Sequence, residues 1–556
     1  MCYDLGMYLR KTTRRNRDGS TVSYLQLALS EWDSDKARSV ARIVYNFGRA
    51  DQLDRAVLER LCRSIARFCD IDIVDRSSLP TDVSHEHIEI VEAPMVGVIW
   101  LVRALCEQLE ITAILTRLLR QHDASPALLP AILALLANRL DQPTSKRGVH
   151  LRWLEGVYFP EAAELGKDFY YQALDFLHTH ADTIEHDVFF AVSNLFNLEV
   201  ELIFYDTTTA AFSVDEADDD GLRQRGRSKE GGYKIQVVVA LAVTAEGIPV
   251  RSWVLPGNTA DVDTIAQVRA DLRGWKLSRV VLVGDAGMDS AANRAELARA
   301  CGKYVLAVRA GSLKEVQQQV LTRPGRYRTV ADNLRVKEVV VEEGERRRRY
   351  IVCHNPQQEA RQQARREEVL AELEAELAKH RDAKTDRKWV AQLRASHRYG
   401  RYLRVTPGGS VSVDRAAVKR SAKLDGKWVL LTNDDSLSAV DTANAYKGLM
   451  VIERCFRTMK SAQIELAPLH HRLEDRIRGH VKLCVLALLL QRIIEVYGEM
   501  PYGQVRPMLE RLRAVHLRTP THDVWQLSAP DPRLRTLAKR LKISLPKKVL
   551  EIQPRG

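Results

Sequence analysis

Two aspartates and a glutamate carry the most chemical information in this chain. Asp206 closes Glu199-Val200-Glu201-Leu202-Ile203-Phe204-Tyr205-Asp206, a strand-like run that ends in an acid. Asp285 closes Arg279-Val280-Val281-Leu282-Val283-Gly284-Asp285 in the same way, with Gly284 and Gly287 allowing tight turns beside it. In a sheet flanked by helices, such strand ends open onto the crevice where ligands bind. If the two strands are neighbours, the carboxylates converge. Two carboxylates that close repel and raise a pKa. A divalent cation removes that penalty, and ligation by oxygen alone suits Mg²⁺ or Mn²⁺. Either Asp alone would read as an ordinary turn or helix-start residue; the paired placement changes the reading.

The third acid is Glu453. Tyr446, Glu453 and Lys460 are spaced by seven, so a helix running from about Ala439 to Lys460 puts them on one face, with Arg457 one turn past the glutamate. Leu449, Ile452 and Phe456 form the adjoining apolar stripe. That face presents an acid for a metal, and a tyrosine and two cations for a phosphate. Taken alone, Glu453 and Arg457 make an ordinary helix ion pair worth about 0.3–0.5 kcal/mol.

The elements that must position these acids follow from periodicity. Strands are expected at Ile235–Val243, Pro249–Leu255 and Tyr304–Arg309, beside those that end in Asp206 and Asp285. Helices are expected at 262–272 and from near Ser290. Three strands followed by alternating helix and strand predict an α/β fold, a mixed sheet with helices on its faces. Residues 311–427 interrupt this scheme with strand-like pieces, four consecutive arginines (Arg346 to Arg349) and a highly charged helix; the sheet pattern resumes at Lys427-Trp428-Val429-Leu430-Leu431-Thr432. Residues 52–75 and 95–197 read as helical. The first 50 residues read as a β-hairpin element, with Asn16-Arg17-Asp18-Gly19 as its turn. Its arginines and Lys11 fit either a solvated hairpin or one that touches phosphates. His178, His180 and His186, near Asp182, read as a surface cluster.

The division expected is therefore 1–50, a β-hairpin element; 51–198, a helical region, which the resemblance given below would make the part that binds DNA ends; 199–310 with 428–495, the domain that carries the three acids and would be catalytic; 311–427, an insertion; and 496–556, a basic C-terminal region. The chain has 84 Lys and Arg against 72 Asp and Glu, a net charge of +12, which favours a polyanionic partner. Its 45% apolar and 28% charged residues exclude a largely disordered chain. Eight cysteines without a CxxC pair argue against a disulfide framework or a structural zinc. The most apolar run, Val481 to Leu490, is too short to span a bilayer and reads as a buried helix, so no membrane partner is expected.

At these residues the chain resembles the DDE transposases of bacterial insertion sequences, in the branch marked by Y-x2-R-x3-E-x6-K. Tyr446, Glu453 and Lys460 match, and Leu449 stands at the expected Arg position, where Lys447 or Arg457 would have to supply the charge. The Tyr-Asp-Thr-Thr-Thr run at 205–209, the Gly-Asp-Ala-Gly run at 284–287, the run at 425–433 and His480 look like this group as well. The resemblance is ordered along 199–490, and the first 50 residues look like those of one subgroup.

The resemblance implies an RNase H-like catalytic domain holding two Mg²⁺ ions (Mn²⁺ may substitute), with a partly β insertion in the long second gap (285 − 206 = 79, 453 − 285 = 168). It implies that Asp206 bridges both ions and that Asp285 and Glu453 each hold one, that water cuts at the transposon end, and that the freed 3′-hydroxyl attacks target DNA. Tyr446 and Lys460 would hold the 5′-terminal phosphate, and Trp253, Trp389 or Trp428 could support a flipped base if the second strand is cut through a hairpin. The implied partners are the terminal inverted repeats, target DNA and a second copy of the chain in a homodimer or larger synaptic complex. The implied location is the cytoplasm, on the bacterial nucleoid. The rival readings are an RNase H-like nuclease without strand transfer and a catalytically inactive DNA-binding regulator.

Overall fold

The computed structural model describes residues 7–15, 21–33, 38–68, 88–214, 216–275, 277, 280–299, 302–311, 313–342, 347–379, 387–407 and 410–555. The expected turn at 16–19, residues 69–75 of the first expected helix, Arg279 and Arg346 lie outside them. The chain divides into two compact units, Met1–Ile88 and Glu89–Gly556.

The first unit is a three-stranded antiparallel sheet, β1 (Met7–Arg15), β2 (Thr21–Asp33) and β3 (Arg38–Arg49) in that order, followed by helix α1 (Arg55–Phe68). A third long strand thus extends the expected hairpin. Val22 and Ala28 are its buried strand residues, whereas Leu9, Ile43 and Tyr45 remain exposed.

The second unit begins with β4 (Glu89–Glu92) and a helical layer: α2 (Gly97–Gln108), α3 (Ile111–Gln121), α4 (Leu128–Leu140), the single turns α5 (Lys146–Gly148) and α6 (Pro160–Ala163), α7 (Lys167–Thr179) and α8 (Ala181–Phe196). The sheet follows: β5 (Leu202–Ala211), β6 (Gln224–Arg227), β7 (Tyr233–Val243), β8 (Pro249–Pro256), α9 (Ile265–Gly274), β9 (Val281–Gly284), α10 (Ala291–Ala298) and β10 (Lys303–Val308). Across the sheet the order is β8-β7-β5-β9-β10. β7 runs antiparallel to β5 and β8, while β9 runs parallel to β5 and β10. A three-strand meander whose first strand pairs in parallel with β9, which in turn pairs in parallel with β10, is the RNase H-like arrangement.

The insertion extends this sheet. β11 (Arg328–Ala331), β12 (Leu334–Val341) and β13 (Arg348–His354) lead to α11 (Pro356–Lys379), α12 (Arg387–Ala395), the hairpin β14 (Leu403–Val405) and β15 (Val411–Val413), and α13 (Arg415–Ala422). β16 (Lys427–Thr432) then pairs with both β10 and β13, making one ten-stranded sheet. The helices beyond it keep a small core of their own around Val369, Leu373 and Tyr402.

The chain closes with α14 (Ala439–Gly448), α15 (Met450–Lys460), α16 (Glu474–Tyr497), α17 (Tyr502–Arg511), β17 (Ala514–Arg518), β18 (His522–Leu527), α18 (Pro532–Leu541) and β19 (Val549–Pro554). α16 carries the Val481–Leu490 run, buried apart from a partly exposed Lys482, whose ammonium bonds Glu185 at 2.8 Å. Among the described residues no helix is long and apolar enough to cross a membrane. The C-terminal segment, expected only to be basic, builds a four-stranded sheet, β19-β18-β17-β4, with the strand that opens this unit.

Candidate active site

β5 and β9 pair in parallel with Leu202 opposite Val281, Ile203 opposite Leu282 and Phe204 opposite Val283. The offset is 281 − 202 = 79, the same as 285 − 206, so the register brings Asp206 level with Asp285 on the neighbouring strand. Strands lie about 4.8 Å apart, so the two carboxylates lie side by side; Asp285 follows the last residue of β9 as expected, but Asp206 sits inside β5, which pairs with β7 as far as Ala211. Gly284 belongs to the same arrangement: a Cβ there would meet the Met288 sulfur at 2.9 Å, with the Tyr205 carbonyl 3.9 Å away.

The expected single helix from 439 to 460 is two, α14 and α15, meeting at Leu449. Gly448 explains the break. Glycine is the weakest non-proline helix former, and here the backbone presses on β5: a Cβ on Gly448 would stand 2.5 Å from Cζ of Phe204. Phe204 lies two residues before Asp206, on the same face of the strand. The junction therefore lies over the face that carries Asp206. The break also puts Glu453 in the first turn of α15, at the positive end of its dipole, and Arg457 and Lys460 in the last turn, at the negative end.

Tyr446, at the end of α14, donates its hydroxyl to Asp285 Oδ1 at 3.2 Å. Burial raises the pKa of that phenol most, and Asp285, Glu453 and Asp206 each raise it further. One hydroxyl thus feels all three acids. Asp206 is pushed up to about 6, first by burial and then, against the opposing Lys229, by Asp261 and Asp285. Among the described residues no three His, Cys, Asp or Glu side chains are grouped so as to hold a metal ion, so the acids share a neighbourhood without forming a closed ligand shell. Their all-oxygen donor set and mutual repulsion still fit a hard divalent cation.

Sequence reasoning missed two further residues. Lys229, on the β6–β7 turn, places its Nζ 3.5 Å from Asp206 Oδ1 and 3.3 Å from Asp261 Oδ2, and donates to the carbonyl and hydroxyl oxygens of Thr207 at 2.8 and 2.6 Å. Thr207 also donates its hydroxyl to Asp261. Asp261 is thus a fourth carboxylate at the site; it stands five residues past the end of β8, and its sequence signal was an acid in the loop after an apolar strand. Lys460 pairs with Glu230 on the same turn at 3.0 Å. Arg457 and Lys447 are exposed, and Leu449 is buried in the core. Lys447 lies within electrostatic reach of Cys353 on β13.

Beside Asp206 opens a cleft of about 670 Å³ lined by Thr207, Arg225, Arg227, Lys229, Tyr233 and Asp261. Arg225, Arg227 and Tyr233 are exposed. Cations interleaved with an aromatic suit a nucleic-acid backbone and its bases. Of the three tryptophans, Trp253 is in the core and donates to Asp271, Trp389 is half-buried in the insertion, and Trp428 is half-buried on β16. The histidines are dispersed: His178 contacts Asp475, His180 packs on His122, and His186 contacts Asp187.

A family model described as "Transposase DDE domain" matches residues 207–490, just over half of the chain, beginning one residue after Asp206 and including Asp285 and Glu453. A second, "IS1634 family transposase, N-terminal domain", matches residues 9–78. No curated protein matches. Among solved structures, a cryo-EM structure of a piggyBac transposase synaptic complex with hairpin DNA is similar at 9% identity, covering 70% of each chain with a TM-score of 0.34, too distant for residues to be equated.

Proposed function

The chain belongs to the DDE transposases of insertion sequences, and from that premise we propose that Asp206, Asp285 and Glu453 are its catalytic acids. Such enzymes act on DNA and generally use divalent metal ions. In this reading two Mg²⁺ ions (Mn²⁺ may substitute) would be held by Asp206, together with Asp285 for one ion and Glu453 for the other. When bound, the ions supply positive charge to the attacking and leaving oxygens of a phosphodiester. The protein's own part is to hold Asp206 and Asp285 level, to bring Glu453 to them on α15, and to grip the strand. Tyr446 and Lys460 orient the 5′ phosphate at the transposon end, Arg457 and Lys447 add positive charge near it, and the 3′-hydroxyl is joined to target DNA. The terminal inverted repeats are the specific substrate, two or more copies form the synaptic complex, and the protein works on nucleoid DNA in the cytoplasm.

The parallel register that levels Asp206 with Asp285 carries this reading, supported by the Tyr446 hydroxyl that feels all three acids. The test is a supercoiled plasmid with or without the element's ends, incubated with protein and Mg²⁺. Joined products that need the ends are expected, and Asp206→Asn, Asp285→Asn and Glu453→Gln should each abolish cutting while end binding survives. Nicking without joined products would favour the nuclease reading. Binding without nicking would favour the regulator. Near-wild-type cutting by any one variant would remove that residue from the trio.

A further inference from the structure

A second basic cavity, of about 540 Å³, lies between α4, α7 and the segment that joins α15 to α16; Arg139, Lys146, His471, Arg472, Arg476 and His480 line it. Glu465 is the single carboxylate among its described lining residues, and it is exposed. Lys146 and Arg139 are 5% and 3% exposed. The Lys146 ammonium donates to His480 Nδ1 at 2.7 Å. With Lys146 as an ammonium donor, His480 Nδ1 accepts that hydrogen bond and the ring hydrogen falls on Nε2, which lies 3.3 Å from the Leu466 carbonyl. Arg139 donates to the carbonyls of Ile464, Glu465 and Thr144 and to the Asn138 amide oxygen, all of them neutral.

Two buried cations thus share a cavity in which neither bonds a carboxylate. Such burial costs several kcal/mol per ion unless a counter-charge arrives. Lys146 shows that cost: burial above all, and then Arg139, pull its pKa down to about 7. Arg472, exposed at the cavity, makes no ion pair among the described residues, and Arg476 is held by Asp175 at 3.2 Å. A tetrahedral oxyanion supplies what these groups lack, several acceptor oxygens on one compact negative charge.

The location connects this cavity to the acids. Its wall at 465–473 follows directly on α15, which carries Glu453. Leu469 bridges Phe212 just past the end of β5, and Ser213 meets His470 at 2.9 Å. From Asp206 to Phe212 is six residues of extended chain, about 20 Å, a distance that one bound DNA duplex spans easily. We propose that this cavity is a phosphate site that grips a backbone phosphodiester of the DNA on which the acid site acts. Assigning the phosphate to DNA rests on the function proposed above; the preference of the cavity for an anion does not.

The test uses the full chain, a mixed-sequence DNA duplex and inorganic phosphate. Duplex affinity is read by fluorescence anisotropy across a salt series for wild type, Lys146→Gln and the exposed Arg472→Gln, whose fold is not at risk. Both variants should bind several-fold more weakly, and the slope of log affinity against log salt should shrink by about 0.9 for the lost phosphate contact. At constant ionic strength, inorganic phosphate should raise the melting temperature of wild type but not of Lys146→Gln. Folded variants that keep wild-type affinity and slope would overturn the proposal. Stabilisation by phosphate without any loss of duplex binding would mark an adventitious ion only and overturn it equally. A wild type that binds the duplex but never cuts it would count against the catalytic reading alone.

Discussion

The Tyr446 hydroxyl donates to Asp285 across the joint between α14 and the end of β9, at 3.2 Å. This contact ties the carboxylate on the sheet to the helix pair that brings Glu453. Asp285 is exposed, so water can replace the lost donor, and Tyr446→Phe should cost little stability. A hydrogen bond to a charged group is worth about 1.5–3 kcal/mol. If the contact serves the reaction, cutting rate at saturating Mg²⁺ should fall about 10- to 100-fold while the melting temperature barely moves. An unchanged rate would make Tyr446 a bystander.

Lys229 already supplies a positive charge between Asp206 and Asp261. A divalent ion that approaches Asp206 must compete with that ammonium. Half-exposed pairs of this kind are worth about 0.2–1 kcal/mol, so Lys229→Met should tighten Mn²⁺ binding to the DNA-free protein by up to about fivefold. Asp261→Asn, which removes charge of the other sign, should weaken it. Titration calorimetry reads both, and looser binding in Lys229→Met would contradict this competition.

Much of the acid site was legible in the sequence because each acid follows an apolar strand-like run and the 79-residue gap between Asp206 and Asp285 equals the strand register, although β5 continues past Asp206 to Ala211. Other features left no local mark. Helical spacing continues straight through Gly448 and Leu449, so the break appears only when Phe204 is packed against it. Lys229 reaches Asp206 because the β6–β7 turn folds over the end of β5, and no short-range pattern encodes that. The C-terminal strands looked merely basic because their partner, β4, lies more than 400 residues earlier, as in the pairing of Leu517 with Ile90. The anion cavity was hidden likewise: His480 was visible as a motif residue, but Lys146 lies 334 positions away.

Gly448 permits a test of that packing. Ala at this position gains about 1 kcal/mol in helix propensity, but its Cβ would stand 2.5 Å from the buried Phe204 ring. Overpacking of this kind costs about 1–3 kcal/mol, so the clash wins and Gly448→Ala should lower the melting temperature and slow cutting together. Phe204→Leu makes room for the methyl group. The double variant should be more stable than the sum of the single losses predicts, by a coupling of about 0.5 kcal/mol or more. Strict additivity would mean that the helix junction does not bear on Phe204.

The unpaired charge of Lys146 makes a prediction about pH. The groups that face it are Arg139 from α4, Tyr171 from α7, Glu465 and His471 from the segment after α15, and His480 and Cys484 from α16. In the folded, DNA-free protein the lysine gives up its proton near 7, whereas in the unfolded chain it keeps it up to its ordinary value of 10.5. Between those values the unfolded state binds more protons, so folding stability rises with pH by up to about 1.4 kcal/mol per unit from this group. Lys146→Gln lacks that slope and keeps a donor for His480. The variant should therefore be the more stable protein at pH 7, and its advantage should shrink as pH is raised towards 9.5, with other titrations cancelling in the difference. Urea unfolding of both proteins across that range reads the gap directly. A gap that stays constant would mean that Lys146 is not buried as a strained cation. Bound DNA should abolish the trend, because a phosphate in the cavity restores the proton to the lysine.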